Sequence, residues 1–178
     1  MEEPFMVFKR IVTAIDRTPL EQEIFTQAAD LAAAQNAELL LVHYFSTPID
    51  TMTTPPVGTA AGAGVGLTPA AGVNMYPVTA ENLELHQNAV DKERREEEAW
   101  LERYRRQASD AGIAVQMECI PDDGSTGRRI CDTAKSWNAD LIVLGSKSRT
   151  GLAEAFLGST SNHVVHHAHC PVMVIQHN

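Results

Sequence analysis

Apolar and polar positions along the chain predict five strands that alternate with four helices. Apolar runs of strand length occupy residues 9–15, 38–45, 113–120, 140–144 and 171–176. Helical periodicity or a helix-forming composition covers about residues 19–35, 80–111, 127–137 and 159–167. The runs ELLLVHYF and DLIVL are apolar almost throughout, which is typical of strands covered on both faces, as in parallel sheets.

This alternation indicates an α/β fold with a doubly wound, five-stranded parallel sheet of the Rossmann-like type. Right-handed crossovers and one reversal of the winding direction give the strand order 3-2-1-4-5 within a single domain. Ligands bind such sheets at the reversal, outside the carboxyl ends of the strands, which here are Asp16 and Gly145. We therefore expect these two distant positions to face one site.

A segment of different composition interrupts the alternation at about residues 46–80. Pro, Gly, Ala and Thr dominate it, charge almost vanishes and no period is visible. Such a composition is typical of a flexible loop or lid. We therefore predict one domain over residues 1–178 that carries a flexible insertion.

The first helix has a candidate capping box at its start. Thr18 suits the N-cap, Pro19 suits the first helical position, and Glu21 suits the reciprocal hydrogen bond. We therefore predict that the Thr18 side chain caps this helix.

Charge and composition exclude some classes of function. The 178 residues carry a net charge of -9, which disfavours binding to nucleic acids or to anionic membranes. No apolar run has the length of a membrane span, and the N-terminal MEEPFMVFKR lacks the features of a signal peptide. Three cysteines without CxxC spacing are typical of thiols in a reducing compartment. We expect a cytoplasmic protein with neither a nucleic-acid partner nor a membrane partner.

The segment GSKSRTGLAEAFLGSTSN, residues 145–162, has the features of an anion-binding loop. Gly158 permits the close approach of a phosphate. Ser159, Thr160 and Ser161 supply hydroxyls and the unpaired N–H groups of a helix N-terminus. A lysine and an arginine in the same loop add positive charge. The alternative, common for such residues, is that Ser159 or Thr160 only caps the helix.

These features resemble the universal stress protein family over nearly the whole chain except residues 46–80. The resemblance is carried by KRIVTAIDRT, by ELLLVHYF, by ADLIVLGSKSRTGLAEAFLGSTSNHVVHHAHCPVMVI and by the order of the elements. The nucleotide-binding branch of that family has the pattern G-x-x-G-x(9)-G-S/T. Here Gly145 and Gly158-Ser159 fit its first and last positions with the right spacing, whereas Ser148 replaces its second glycine.

The resemblance implies that an adenine nucleotide, ATP or AMP, lies across the ends of the first and fourth strands. The residues that it implies near the nucleoside are Ala14, Asp16 and the main chain of Tyr44. Those that it implies at the ribose are Leu144 and Gly145. At the phosphates it implies Gly158, Ser159, Thr160 and Ser161, with Ser148 in the position of a phosphate-contacting glycine. Mg²⁺ can accompany the nucleotide, whereas neither a protein metal site nor a catalytic residue is expected.

The serine at position 148 bears on affinity. If that position needs a positive φ, a non-glycine residue costs about 1–2 kcal/mol, which corresponds to about a tenfold loss of affinity. A serine hydroxyl that donates to a phosphate would offset part of this cost. A second branch of the family lacks the glycine pattern and is thought not to bind ATP.

The histidines have a simple interpretation. In HVVHHAHC, His163 and His167 have the i,i+4 spacing that would permit two metal ligands, but no glutamate accompanies them as in HExxH. We interpret this cluster as helix surface and strand entry. His43 lies in a buried strand, where we expect a hydrogen-bonded core histidine.

The last strand lies at an edge of the predicted sheet, and an apolar edge favours pairing with another chain. Two copies can pair in an antiparallel manner about a twofold axis, which closes the assembly. Dimers of the family commonly do this, so the resemblance implies a homodimer through Val172–Gln176.

Three functions remain open at this point. The first is a regulatory stress-response protein that binds ATP or AMP with little or no catalysis. The second is a dimeric interaction protein of the same fold that binds no nucleotide. The third is a slow ATPase or phosphotransferase, which ranks last because no residue set that activates water is evident.

Overall fold

A computed structural model describes residues 7–46, 80–146 and 157–176. Within these residues the chain forms five strands and four helices in the predicted order. The elements are β1 Arg10–Ala14, α1 Glu21–Gln35, β2 Glu38–Ser46, α2 Ala80–Asp110, β3 Val115–Asp122, α3 Thr126–Ser136, β4 Leu141–Gly145, α4 Ser159–His167 and β5 Val172–Ile175.

The strands form one parallel sheet with the order β3-β2-β1-β4-β5. This confirms the α/β fold and the predicted order 3-2-1-4-5. The winding direction reverses between β1 and β4, where Ala14 pairs with Leu144. The carboxyl ends of these two strands therefore lie side by side.

Residues 7–46, 94–146 and 157–176 belong to one compact unit, and residues 80–93 belong to a second. The five strands, three of the helices and the part of α2 from Arg94 onward belong to the first unit. In the second unit the structure describes the helical residues 80–93. The predicted insertion at 46–80 lies outside the described residues apart from Ser46 and Ala80, so the domain organisation stays a prediction.

Alternate residues of the central strands enter two cores, one on each face of the sheet. Leu39 and Leu41 of β2 belong to the core that also holds side chains of α1 and α2. Leu40 and Val42 belong to the core that also holds side chains of α3 and α4. Because both faces are covered, the strand needs apolar residues at every position, which explains the unbroken apolar run. No helix in the described part of the chain combines the length and the apolar character needed to cross a bilayer.

The predicted capping box at α1 is wrong. Helix α1 begins at Glu21, Leu20 occupies the N-cap position, and no side chain caps this end. The Thr18 hydroxyl instead donates to the Asp16 carboxylate at 2.8 Å, and the Thr18 carbonyl accepts the Glu21 N–H at 3.0 Å. The turn after β1 therefore uses Thr18 to hold Asp16.

Strand β3 lies two residues further along the chain than predicted. Gly112 adopts the left-handed conformation with φ of 80°, and the Ile113 N–H still bonds back to Ala108 of α2, so the strand starts only at Val115. At its far end, Ser46 of β2 pairs with Asp122. The shift brings Asp122 to the edge of the sheet where the other strands end.

Candidate functional site

A cavity of 410 Å³ opens at the carboxyl ends of the central strands. This volume lies in the usual range of small-ligand pockets. The cavity is lined by Ala14, Ile15, Asp16, Tyr44, Ser46, Asp122, Thr126, Ile130, Leu144, Gly145, Gly158, Ser159, Thr160 and Ser161. Its location is the strand reversal at which doubly wound sheets bind ligands.

The cavity brings together the residues that the sequence predicted for a site. Nine of them line it, from Ala14 and Asp16 on one wall to Gly158 and the three hydroxyl residues after it on another. The tenth, Ser148, lies outside the described residues. Their role in binding stays a prediction.

One wall is the N-terminus of α4. Gly158 is the N-cap residue, and no side chain caps this helix. The interpretation of Ser159 or Thr160 as a mere helix cap is therefore wrong, and the Ser161 hydroxyl donates to the Gly158 carbonyl at 3.1 Å. Asn162 N–H bonds to that carbonyl at 2.9 Å, so the N–H groups of residues 159–161 precede the first turn of helical bonds. Such groups favour an anion.

Close packing of α3 fixes the position of this helix end. A Cβ atom at Gly127 of α3 would lie 2.9 Å from His163 Cβ and 3.2 Å from the Thr160 carbonyl oxygen. Only glycine lets α4 approach α3 so closely. Gly127 therefore sets the distance between the first turn of α4 and the rest of the cavity.

The opposite wall is held by hydrogen bonds of the turn after β1. The Ile15 N–H donates to the Val42 carbonyl at 3.0 Å. The Asp16 carboxylate accepts from the Thr18 hydroxyl. The cavity thus has a carboxylate on the β1 side and helix N–H groups on the α4 side, a polarity that suits a ligand with one anionic end.

Tyr44 supplies an aromatic part of the wall. Its hydroxyl lies 2.9 Å from Thr133 Oγ1, and the Arg129 guanidinium lies 5.6 Å from its ring centroid. Burial raises the pKa of Tyr44, which outweighs the opposite effect of the Thr133 bond and of Arg129. The phenol therefore stays neutral and holds one orientation.

Sequence reasoning missed five lining residues: Ile15, Ser46, Asp122, Thr126 and Ile130. Ser46 and Asp122 were missed because β2 and β3 end later than the apolar runs suggest. Thr126 and Ile130 lie four residues apart and so share a face of α3, a signal that the sequence did contain. The Thr126 hydroxyl donates to Asp122 Oδ2 at 2.6 Å, which joins α3 to the end of β3.

None of the histidines and cysteines in the described part of the chain lines this cavity. His163 and His167 stack with ring centroids 4.1 Å apart, and His167 Nδ1 donates to the His163 carbonyl at 2.8 Å. Among the described residues no group of three or more His, Cys, Asp or Glu side chains is arranged to hold a metal ion. Burial raises the pKa of the thiols of Cys131 and Cys170, so neither resembles an activated nucleophile.

The chain is thus a doubly wound α/β protein with a cavity at the strand reversal. A model of the universal stress protein family matches residues 7–176. The chain therefore belongs to the universal stress protein family. Universal stress protein Sll1388 of Synechocystis sp. is 31% identical over 172 residues, which cover 97% of this chain and 100% of that protein.

Solved structures share the fold at low sequence identity. Hypothetical protein MJ0577 superposes with a TM-score of 0.70 at 17% identity, covering 97% of this chain and 99% of the other. A universal stress protein in complex with cAMP gives 0.57 at 17% identity, covering 96% and 98%. The universal stress protein of Archaeoglobus fulgidus in complex with dAMP gives 0.53 at 16% identity, covering 96% and 99%.

Proposed function

We propose that this member of the family is a regulatory stress-response protein that binds an adenine nucleotide, ATP or AMP, in the cavity at the strand reversal. The proposal rests on the cavity of 410 Å³. Around this cavity, a helix N-terminus without a side-chain cap lies close to the ends of β1 and β4. The complexes of two fold relatives with cAMP and dAMP support an adenine nucleotide as the class of ligand. The protein needs little or no catalytic activity for this role.

The polarity of the cavity orients the nucleotide. Its phosphates lie against Gly158 and residues 159–161, where N–H groups and hydroxyls can donate. The nucleoside lies toward Asp16, Ala14 and the main chain of Tyr44, and Leu144 with Gly145 borders the ribose. Asp16 is kept away from the phosphates in this orientation, because two like charges would repel. Mg²⁺, where present, accompanies the phosphates.

Ser148 tunes the affinity in this proposal. Replacement of Ser148 by glycine restores the full glycine pattern and is expected to strengthen binding about tenfold if the position needs a positive φ. Isothermal titration of both proteins with ATP measures the change. An unchanged affinity would show that the serine does not weaken the site.

The proposal is tested by calorimetric titration with ATP, ADP, AMP and cAMP, with and without Mg²⁺. Ser159→Glu is the decisive variant, because a carboxylate in the first turn suits the helix but repels a phosphate. Ser159→Gln is the matched control, since it has nearly the same size without the charge. We expect Ser159→Glu to lose at least tenfold in affinity for AMP and Ser159→Gln to stay within threefold. Absence of heat and of a thermal shift at millimolar nucleotide for the wild-type protein favours the alternative, an interaction protein with an empty cavity.

We also propose a homodimer through the edge strand Val172–Gln176. Among the described residues β5 pairs with β4 alone, and the carbonyls of Pro171 and Ile175 accept bonds from the β4 side. The alternation of a parallel ladder therefore turns the N–H of Val174 toward the other edge. Val174→Pro removes that donor and is expected to give monomers in sedimentation equilibrium, whereas the control Val174→Thr keeps it and stays dimeric. A wild-type monomer at all concentrations would contradict the proposal.

We propose a cytoplasmic location as well, on the odd number of cysteines, none of which forms a disulfide. Fractionation of cells that express the full chain tests it. Recovery of the protein in a membrane or extracellular fraction would contradict it.

A further inference from the structure

A buried ionic cluster lies beside the cavity, on the face of the sheet covered by α1 and α2. Glu97 of α2 is 7% exposed and His43 of β2 is 5% exposed. Glu97 Oε2 accepts from Arg17 Nε at 2.8 Å and lies 3.2 Å from His43 Nε2. A buried carboxylate is costly unless it is paired, and the Glu97 carboxylate has two partners here, the half-exposed Arg17 and the buried His43.

The ring of His43 connects the cluster to the main chain. His43 Nδ1 lies 2.8 Å from the Ile15 carbonyl oxygen, and because a carbonyl only accepts, Nδ1 carries a proton and donates. On the other side of the ring, Nε2 faces the Glu97 carboxylate, which also only accepts. Both ring nitrogens of His43 therefore face acceptor oxygens, and Arg17 and His43 lie on either side of one carboxylate.

Trp100 packs against two members of the cluster. Its ring lies edge-on to His43 with centroids 4.8 Å apart, and the Arg17 guanidinium lies 5.4 Å from its centroid. Cys119, the β3 neighbour of His43, shows the effect of these surroundings. Burial, followed by the Glu97 and Glu98 carboxylates, raises the pKa of the Cys119 thiol to about 12. Hydrogen bonds between charged groups are stronger in such surroundings than in water.

The connection ends at the cavity wall. The carbonyl of Ile15 accepts from His43, while its N–H donates to the Val42 carbonyl at 3.0 Å. Both polar main-chain groups of Ile15 are therefore fixed to β2. Ile15 and the following Asp16 line the cavity. A movement of the His43 ring therefore displaces the part of the wall against which the nucleoside is proposed to lie.

We propose that Glu97 and His43 are positioning residues for the nucleotide site: Glu97 orients the His43 ring, and the ring holds the Ile15 carbonyl and thereby the cavity wall at Asp16. This inference rests on the proposed function and adds a regulatory route to it. A change at Glu97 on α2 therefore alters nucleotide affinity through the Ile15 carbonyl and the cavity wall.

Two substitutions of the histidine separate its two contacts. An asparagine amide nitrogen lies near the position of Nδ1, and a glutamine amide nitrogen lies near the position of Nε2. His43→Asn therefore keeps a donor for Ile15, whereas His43→Gln keeps a donor for Glu97. We expect His43→Gln to weaken AMP binding about fivefold to twentyfold and His43→Asn to stay within about threefold. Equal losses in both variants, or a greater loss in His43→Asn, would overturn the proposal.

Glu97→Gln tests the α2 end of the connection with almost no change of shape. Glu96→Gln is the matched control, because Glu96 is an exposed carboxylate on the same helix. We expect the amide resonances of Ile15 and Asp16 in the ligand-free protein to shift in Glu97→Gln and to stay in place in Glu96→Gln. We also expect the Nδ1–H of His43 to appear as a slowly exchanging ring proton in the wild-type protein. Unmoved Ile15 and Asp16 amides in Glu97→Gln would overturn the proposal.

The ligand-free spectra also distinguish a failure of the proposed function from a failure of the positioning role of Glu97. If the wild-type protein gives no heat with any adenine nucleotide, the proposed function fails, and the Ile15 and Asp16 amides still decide whether Glu97 positions the cavity wall. If the wild-type protein binds AMP and the Glu97→Gln protein binds it as tightly as the Glu96→Gln protein, the proposed function stands and the positioning role fails.

Discussion

Gly127→Ala is a sharp test of how the cavity is built. A Cβ atom at this position lies 2.9 Å from His163 Cβ and 3.2 Å from the Thr160 carbonyl oxygen, where ordinary contacts need about half an ångström more. Because one of these neighbours is main chain, the first turn of α4 has to move. Overpacking of this kind costs about 1–3 kcal/mol, which exceeds the roughly 1 kcal/mol that alanine gains over glycine inside a helix.

The expected result has two parts. The free energy of unfolding in urea falls by up to about 2 kcal/mol, the difference between these two effects. The N–H groups at Thr160 and its neighbours are displaced as well. We expect AMP binding to weaken about threefold to tenfold, the loss of affinity that corresponds to one hydrogen bond.

Gly112→Ala is the matched control for the loss of stability. Gly112 has a φ of 80° and nothing within 4 Å of an added Cβ, so alanine there costs about 1–2 kcal/mol of main-chain strain far from the cavity. We expect this variant to lose stability and to keep its affinity for AMP. If Gly127→Ala instead gains stability and binds AMP as the wild-type protein does, the close packing of α3 at Gly127 does not fix the position of the first turn of α4.

Three further predictions concern single side chains. Tyr44→Phe removes the hydroxyl that bonds to Thr133, so unfolding in urea should become easier by about 0.5–1.5 kcal/mol, and unchanged stability would mean that this bond contributes nothing. Asp140→Ala removes the acceptor for the first two N–H groups at the start of β1 and should cost about 1–3 kcal/mol in the same assay, whereas Asp140→Asn keeps one oxygen acceptor and should cost less. Burial raises the pKa of the Cys119 thiol from 9.0 in the unfolded chain to about 12 in the folded protein. The contribution of this thiol to stability is therefore full below about pH 9 and is lost as pH rises toward 12. The free energy of unfolding should therefore fall more steeply above pH 9 in the wild-type protein than in Cys119→Ala, and parallel curves would contradict this.

The fold was predictable because both faces of the sheet are covered. The unbroken apolar runs in β2 and β4 arise from two cores that take alternate residues, and that pattern is visible in the sequence alone. The strand order followed from the handedness of the crossovers and placed the ends of β1 and β4 together. The family resemblance then singled out nine of the fourteen residues that line the cavity.

Other features depend on contacts that sequence spacing does not encode. Thr18 had the right position for a helix cap, but the nearby Asp16 carboxylate is the better partner for its hydroxyl. Asp122 looked like part of a loop because proline precedes it, yet an edge strand tolerates proline and continues through it. The pairing of His43 with Glu97 joins a strand to a helix far along the chain, and the apolar pattern of β2 predicts only that the histidine is buried.

In the proposed function, the phosphates of an adenine nucleotide bind the N-terminus of α4 while the nucleoside reaches the turn after β1. A titration of the ¹⁵N-labelled protein with AMP, followed through its amide resonances, tests this most directly. We expect saturable shifts at Ser159, Thr160 and Ser161 together with shifts at Ile15 and Asp16. Shifts confined to other surfaces, or no shift at millimolar AMP, would contradict it.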